Sequence, residues 1–149
     1  MVGGLIALVV VLAAASAAGL ALRQRQGRFH QRTPGHDQPS PADALSAADL
    51  GAPLGARATL VQFSTEVCAY CGPTRALLTE VAMERDGVSF VEIDAAERMD
   101  LARRLRVLST PTVLVLDALG GITSRASGPL RKADLLSAVS AVADAGGTS

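Results

Sequence analysis

Tryptophan is absent and the aromatic fraction is only 3%, which leaves almost nothing for nucleobases to stack on. Neither sign of charge is in excess: 14 basic side chains face 14 acidic ones. A balance of that kind gives no electrostatic footprint for a polyanion, and nucleic acid is set aside as a partner. Cysteine is scarce too, with two in 149 residues. A small secreted domain stapled by disulfides usually carries four or more, spread along the chain. Here Cys68 and Cys71 stand two residues apart, and closing so short a loop constrains the unfolded chain very little. The pair is better explained by chemistry than by stability. The length allows one domain of ordinary size plus a short appendage, and not two cores.

Apolar residues, by contrast, make up 49% of the chain, and many sit at its front. Val2 to Leu22 contains no charged residue, and as a helix that run would rise roughly 31 Å, about the thickness of a bilayer's hydrocarbon core. A secretory signal would begin with a basic region, and none precedes the run. Ala15, Ser16 and Ala17 do have the small side chains of a cleavage site, but length and flanking charge favour an uncleaved anchor over residues 2–22. Residues 23–49 then turn polar and irregular, and Pro34, Pro39 and Pro41 forbid long regular elements. They read as a flexible linker with room for a short helix near Ala42 to Ala48. A folded domain is expected over residues 50–145.

Within that domain the pattern alternates. Thr59 to Phe63 is a short apolar and β-branched run that reads as a strand. A helix is expected from about Cys71 to Arg85, burying Ala76, Leu77, Val81 and Leu78. Val88 to Ile93 is a second strand. Ala96 to Leu105 is a second helix, with Met99, Leu101, Ala102 and Leu105 inward. Thr112 to Leu116 and Ile122 to Ala126 are strands joined by a turn at Gly120-Gly121. Lys132 to Ala143 closes the chain as a helix that buries Leu135, Leu136, Val139 and Val142. The order βαβα followed by ββα implies an α/β fold, a central mixed sheet with helices on both faces.

Cys68-Ala-Tyr-Cys71 falls between the end of a strand and the start of a helix, and thiol chemistry benefits from that placement. The thiolate is the nucleophile, and a helix N-terminus offers unpaired N–H groups and a positive dipole end. Such positions bring a cysteine pKa from about 8.5 to somewhere between ~3.5 and ~7.5. Two intervening residues let the second sulfur reach the first, so Cys68 is expected to attack and Cys71 to resolve. Pro73 sits in the first turn, where its missing N–H costs little. A zinc site would need four ligands, and the remaining candidates, His30 and His36, lie in the linker at no familiar spacing. No metal and no organic cofactor is implied.

The segment VQFSTEVCAYCGPTRALLTEVA resembles the active-site strand, loop and helix of the thioredoxin superfamily. VLSTPTVLVLDALGGITSRASG, some forty residues on, is similar to that family's cis-proline loop and terminal hairpin. The resemblance runs from about Ala58 to Val142. It implies a thioredoxin-like fold, a cis bond at Thr110–Pro111 facing the cysteines, and a substrate-binding role for Thr110, Pro111 and Tyr70. It also implies thiol–disulfide oxidoreductase activity on protein disulfides and dithiols, as a protein-disulfide reductase. There are departures. The family's Trp before the first cysteine is Val67 here, and its Gly-Pro between the cysteines is Ala69-Tyr70. Its buried acid is replaced by Gln62, which cannot exchange a proton, and the acid's lysine partner falls at Phe90. Glu66 and Glu92 are nearby in sequence and read as ordinary surface carboxylates.

Two alternatives stay open at this stage: a non-catalytic binding module that uses the same groove, and an extracytoplasmic oxidase or reductase of the cytochrome-maturation type. Placement is open as well. Arg23, Arg25, Arg28 and Arg32 follow the apolar run and no Lys or Arg precedes it, so the positive-inside rule favours a single-pass protein of the cell membrane with its redox domain in the cytoplasm. Many anchored bacterial thioredoxin-like proteins instead hold that domain outside.

Overall fold

The computed structural model describes residues 2–25, 30–31 and 44–145. Helix α1 spans Val2–Arg25 and strand β1 is the two-residue His30–Gln31. Then come α2 (Ala47–Leu50), β2 (Ala58–Ser64), α3 (Cys71–Glu84), β3 (Val88–Asp94), α4 (Met99–Arg104), β4 (Thr112–Asp117), β5 (Ile122–Ser127) and α5 (Lys132–Ala145). The strands form one mixed sheet in the order β1-β5-β4-β2-β3. Among the described residues only β2 and β3 run parallel, as expected for strands joined through a helix. The β2–β4, β4–β5 and β1–β5 pairs are antiparallel.

Every residue of β2 is buried, because the strand lies mid-sheet with helices against both faces. Alternation along the strand sorts its side chains. Val61 and Phe63 join Leu50, Ile93, Leu101, Leu105 and Leu114 in one core layer. Ala58 and Leu60 join Leu78, Val81, Val113, Leu135 and Val139 in the other. Gln62, at the same parity as Leu60 and opposite Val113 in the register, therefore faces the α3 side. The alternation that builds the core thus places a polar side chain beneath the cysteine helix.

Several expectations need correction. In α3 the buried positions are Cys71, Thr74, Leu78 and Val81, a stripe at spacings of three and four that begins at the cysteine itself. Ala76 is exposed and Leu77 only half-buried. The second domain helix starts at Met99 rather than Ala96, because the Asp94 carboxylate accepts from the N–H groups of Ala96 (2.7 Å) and Glu97 (3.4 Å) and holds them in a turn. Met99 is half-exposed; two residues before Leu101, it points about 200° around the helix from the buried face.

Part of the expected linker is ordered against the domain. His30–Gln31 pairs with Arg125 and Ser124 at the sheet edge. Leu45 is 1% exposed in the core, and a capping box follows it, in which the Ser46 hydroxyl takes the Asp49 N–H and the Asp49 carboxylate takes the Ser46 N–H at 2.9 Å. Those Ser46 bonds, assisted by Arg104 at 3.0 Å, hold the Asp49 carboxyl below its usual range. Pro34, Pro39 and Pro41 lie outside the described residues.

The anchor expected over residues 2–22 is helical throughout. Among the described residues, however, no helix is long and apolar enough to cross a membrane.

Candidate active site

Residues Thr65 to Tyr70 connect the end of β2 to the start of α3. The Cys68 N–H bonds the Thr65 carbonyl at 3.2 Å, and the Cys71 N–H bonds the Cys68 carbonyl at 3.3 Å. These two turns fold the loop back so that both sulfurs meet. Cys68 and Cys71 form a disulfide with their Cα atoms 5.4 Å apart. The helix begins at Cys71, so Cys68 stands in the turn before it and Cys71 opens the helix. Pro73 is third in the helix, where an N–H would have no partner within it.

Burial separates the two sulfurs. Cys71 is 3% exposed, whereas Cys68 is half-buried at the surface. A reagent arriving from solvent meets Cys68. Around it the loop carries Val67, 94% exposed, and Tyr70, 51% exposed.

The bond between Thr110 and Pro111 is cis, as the resemblance implies. The Thr110 and Thr65 hydroxyls lie 3.1 Å apart and share a hydrogen bond, which ties the proline loop directly to the cysteine loop. Thr112 donates to the Ser109 carbonyl at 2.7 Å, and the Gly128 N–H donates to the Pro111 carbonyl at 2.8 Å. The proline is thus fixed on both flanks and buried. Leu108, at the outer end of this loop, is 94% exposed. Sequence reasoning missed the Thr65–Thr110 contact, since a pairing across 45 positions leaves no local signature.

Comparison with known proteins bears on this arrangement. The sequence description of the family Thioredoxin matches residues 52–141. The chain belongs to the thioredoxin family. The solved structure of chloroplastic thioredoxin z is similar, at 29% identity and a TM-score of 0.52, covering 58% of this chain and 79% of that one. A malarial protein shares the fold at 19% identity and a TM-score of 0.50, covering 58% of this chain and 97% of that one. No curated protein matches the sequence. A thioredoxin domain with its CxxC pair at bonding distance supports thiol–disulfide oxidoreductase chemistry in general.

Within that family pattern, the departures behave differently from one another. Gln62 is fully buried, and its Nε2 donates to the Cys71 carbonyl at 3.0 Å. Its Oε1 has no hydrogen-bond partner among the described residues. Glu92, on β3, is held by Arg75 of α3 through two short bonds of 2.6 and 2.7 Å. The Arg75 hydrogen bonds keep its carboxyl below the ordinary range, with burial opposing them. Occupied and acidic, Glu92 is a poor proton acceptor for Cys71. Glu66 is exposed. Among the described residues, no three His, Cys, Asp or Glu side chains converge as metal ligands would.

Proposed function

We propose that this thioredoxin is a membrane-tethered protein-disulfide reductase. Cys68 exchanges with the substrate, Cys71 resolves the mixed disulfide, and Thr110, Pro111 and Tyr70 receive the substrate chain. One observation carries the reading: the half-exposed Cys68 is bonded to the buried Cys71 beside a cis-proline loop that Thr65 and Thr110 clamp to it. Dithiol–disulfide exchange needs one accessible sulfur, one sheltered sulfur within reach, and nothing else covalent. The exposed Val67, Tyr70 and Leu108 suit an apolar polypeptide better than a small polar thiol. A reduction assay with insulin and dithiothreitol tests this. The wild type should accelerate insulin precipitation, and Cys68→Ser should fall to the rate without protein. A folded wild type without activity would instead favour a binding module built on the same groove.

Tethering is supported by the helical Val2–Arg25, whose Ile6 and Val9 to Leu12 are 58–64% exposed, and by the uncharged run over 2–22. The four arginines that follow favour a cytoplasmic domain, where a reducing thiol pool would recharge the pair. A C-terminal fluorescent-protein fusion should then be bright, and an alkaline phosphatase fusion silent. The reverse pattern would favour an extracytoplasmic enzyme of the cytochrome-maturation type.

A further inference from the structure

Gln62 stands where the mechanism so far has no use for it. It is 0% exposed in mid-strand, between the sheet and the first turn of α3, and one end of its amide is committed. The Cys71 carbonyl can only accept, so the end bonded to it at 3.0 Å is the Nε2 donor. That leaves Oε1, which is buried and has no hydrogen bond among the described residues. A buried polar atom without a partner is uncommon in folded proteins and calls for a specific explanation. In the disulfide state Cys71 has no S–H to offer. In the dithiol state it does.

We propose that Gln62 Oε1 is the acceptor for the Cys71 thiol proton, and that this hydrogen bond selectively stabilises the reduced form of the pair. When a partner thiolate attacks Cys68 Sγ, the Cys68–Cys71 bond breaks and its electron pair departs on Cys71 Sγ. That sulfur takes a proton from water, and the new S–H donates to Oε1. In the opposite direction Cys71 surrenders its proton to solvent hydroxide, since an amide cannot take it. The resulting thiolate attacks Cys68 Sγ of the mixed disulfide and releases the substrate's second thiolate. A carboxylate at this position would accept the proton itself; Gln62 holds it in place. The side chain thus sets the redox balance without acting as a base.

The inference rests on the exchange chemistry proposed above, and two measurements separate their failures. The first is the infrared S–H stretch of Cys71 in the Cys68→Ser protein, where it is the sole thiol. The band should lie below that of a thiol in an apolar solvent, and Gln62→Met should return it to the apolar position. The second is the dithiol–disulfide equilibrium against glutathione in the two-cysteine protein. Gln62→Met, which removes the acceptor, should shift it towards the disulfide about tenfold, or roughly 30 mV. Gln62→Glu assayed near pH 5, where burial keeps a carboxyl protonated, should behave like the wild type in both. A band already at the apolar position in the Cys68→Ser protein overturns the inference, even if Gln62→Met does not fold. So does an equilibrium that Gln62→Met leaves unmoved. Failure of the wild type to equilibrate with glutathione at all would overturn the exchange reading instead, and the band would still decide the hydrogen bond.

Discussion

Replacing Cys71 with serine should arrest exchange at its midpoint, leaving the chain covalently joined to its substrate through Cys68. The argument is one of access and proximity. Cys71 is 3% exposed, so a substrate sulfur cannot reach it while Cys68 stands in front. Once Cys68 carries the mixed disulfide, Cys71 is the only thiol in the sequence able to attack from within. Well-oriented intramolecular groups act at effective concentrations of about 10⁵ M or more, which millimolar external thiols cannot approach. Non-reducing electrophoresis after incubation with oxidised insulin should therefore show a persistent adduct for Cys71→Ser and none for Cys68→Ser. Steady-state turnover of both variants should be lost into the background. An adduct formed only by Cys68→Ser would reverse the roles assigned to the two sulfurs.

Gly120→Ala should be among the most destabilising single changes outside the active site, costing about 3 kcal/mol or more. Gly120 has φ of 85°, which alone costs an L-residue about 1–2 kcal/mol. A Cβ there would also fall on the Leu45 carbonyl oxygen, a backbone atom that cannot rotate aside. The contact cannot open cheaply, because the Leu45 N–H bonds the Gly120 carbonyl at 2.9 Å and the Leu45 side chain is seated in the core. Gly51→Ala is the control. It has φ of 67° and open space around it, so it should show the backbone cost without the collision. The difference between the two in urea unfolding measures how firmly the segment before the first domain strand is locked to the β4–β5 turn. Equal losses would mean that Leu45 moves aside freely.

The redox centre was legible in the sequence because its chemistry is local. Cys68 and Cys71 are separated by two residues, the strand before them is a short run of mostly apolar and β-branched residues, and a proline after Thr110 opens the next strand. What escaped were features decided by distant partners. Leu77 is as apolar as Leu78, and only the sheet beneath settles that the buried stripe passes through Thr74, Leu78 and Val81. Hydrophobicity alone places Met99 inward, although its angle from Leu101 turns it outward. The capping box at Ser46 and Asp49 is written in the sequence and could have drawn the start of the domain back to Leu45. For Gln62 the sequence revealed a missing acid. Its bond to the Cys71 carbonyl and its idle oxygen became visible only when strand parity was combined with the position of α3.

The two-residue strand β1 has a consequence for reach. An extended chain spans at most about 3.6 Å per residue. From Arg25, the end of α1, to Ala44 is nineteen steps, a ceiling of roughly 68 Å on their separation. With His30 seated on the sheet edge beside Arg125, five steps set the ceiling, about 18 Å between Arg25 and that edge. Two residues of edge pairing thus cut the greatest distance between the end of α1 and the domain nearly fourfold. Wherever α1 is held, its position then governs which disulfides Cys68 can touch.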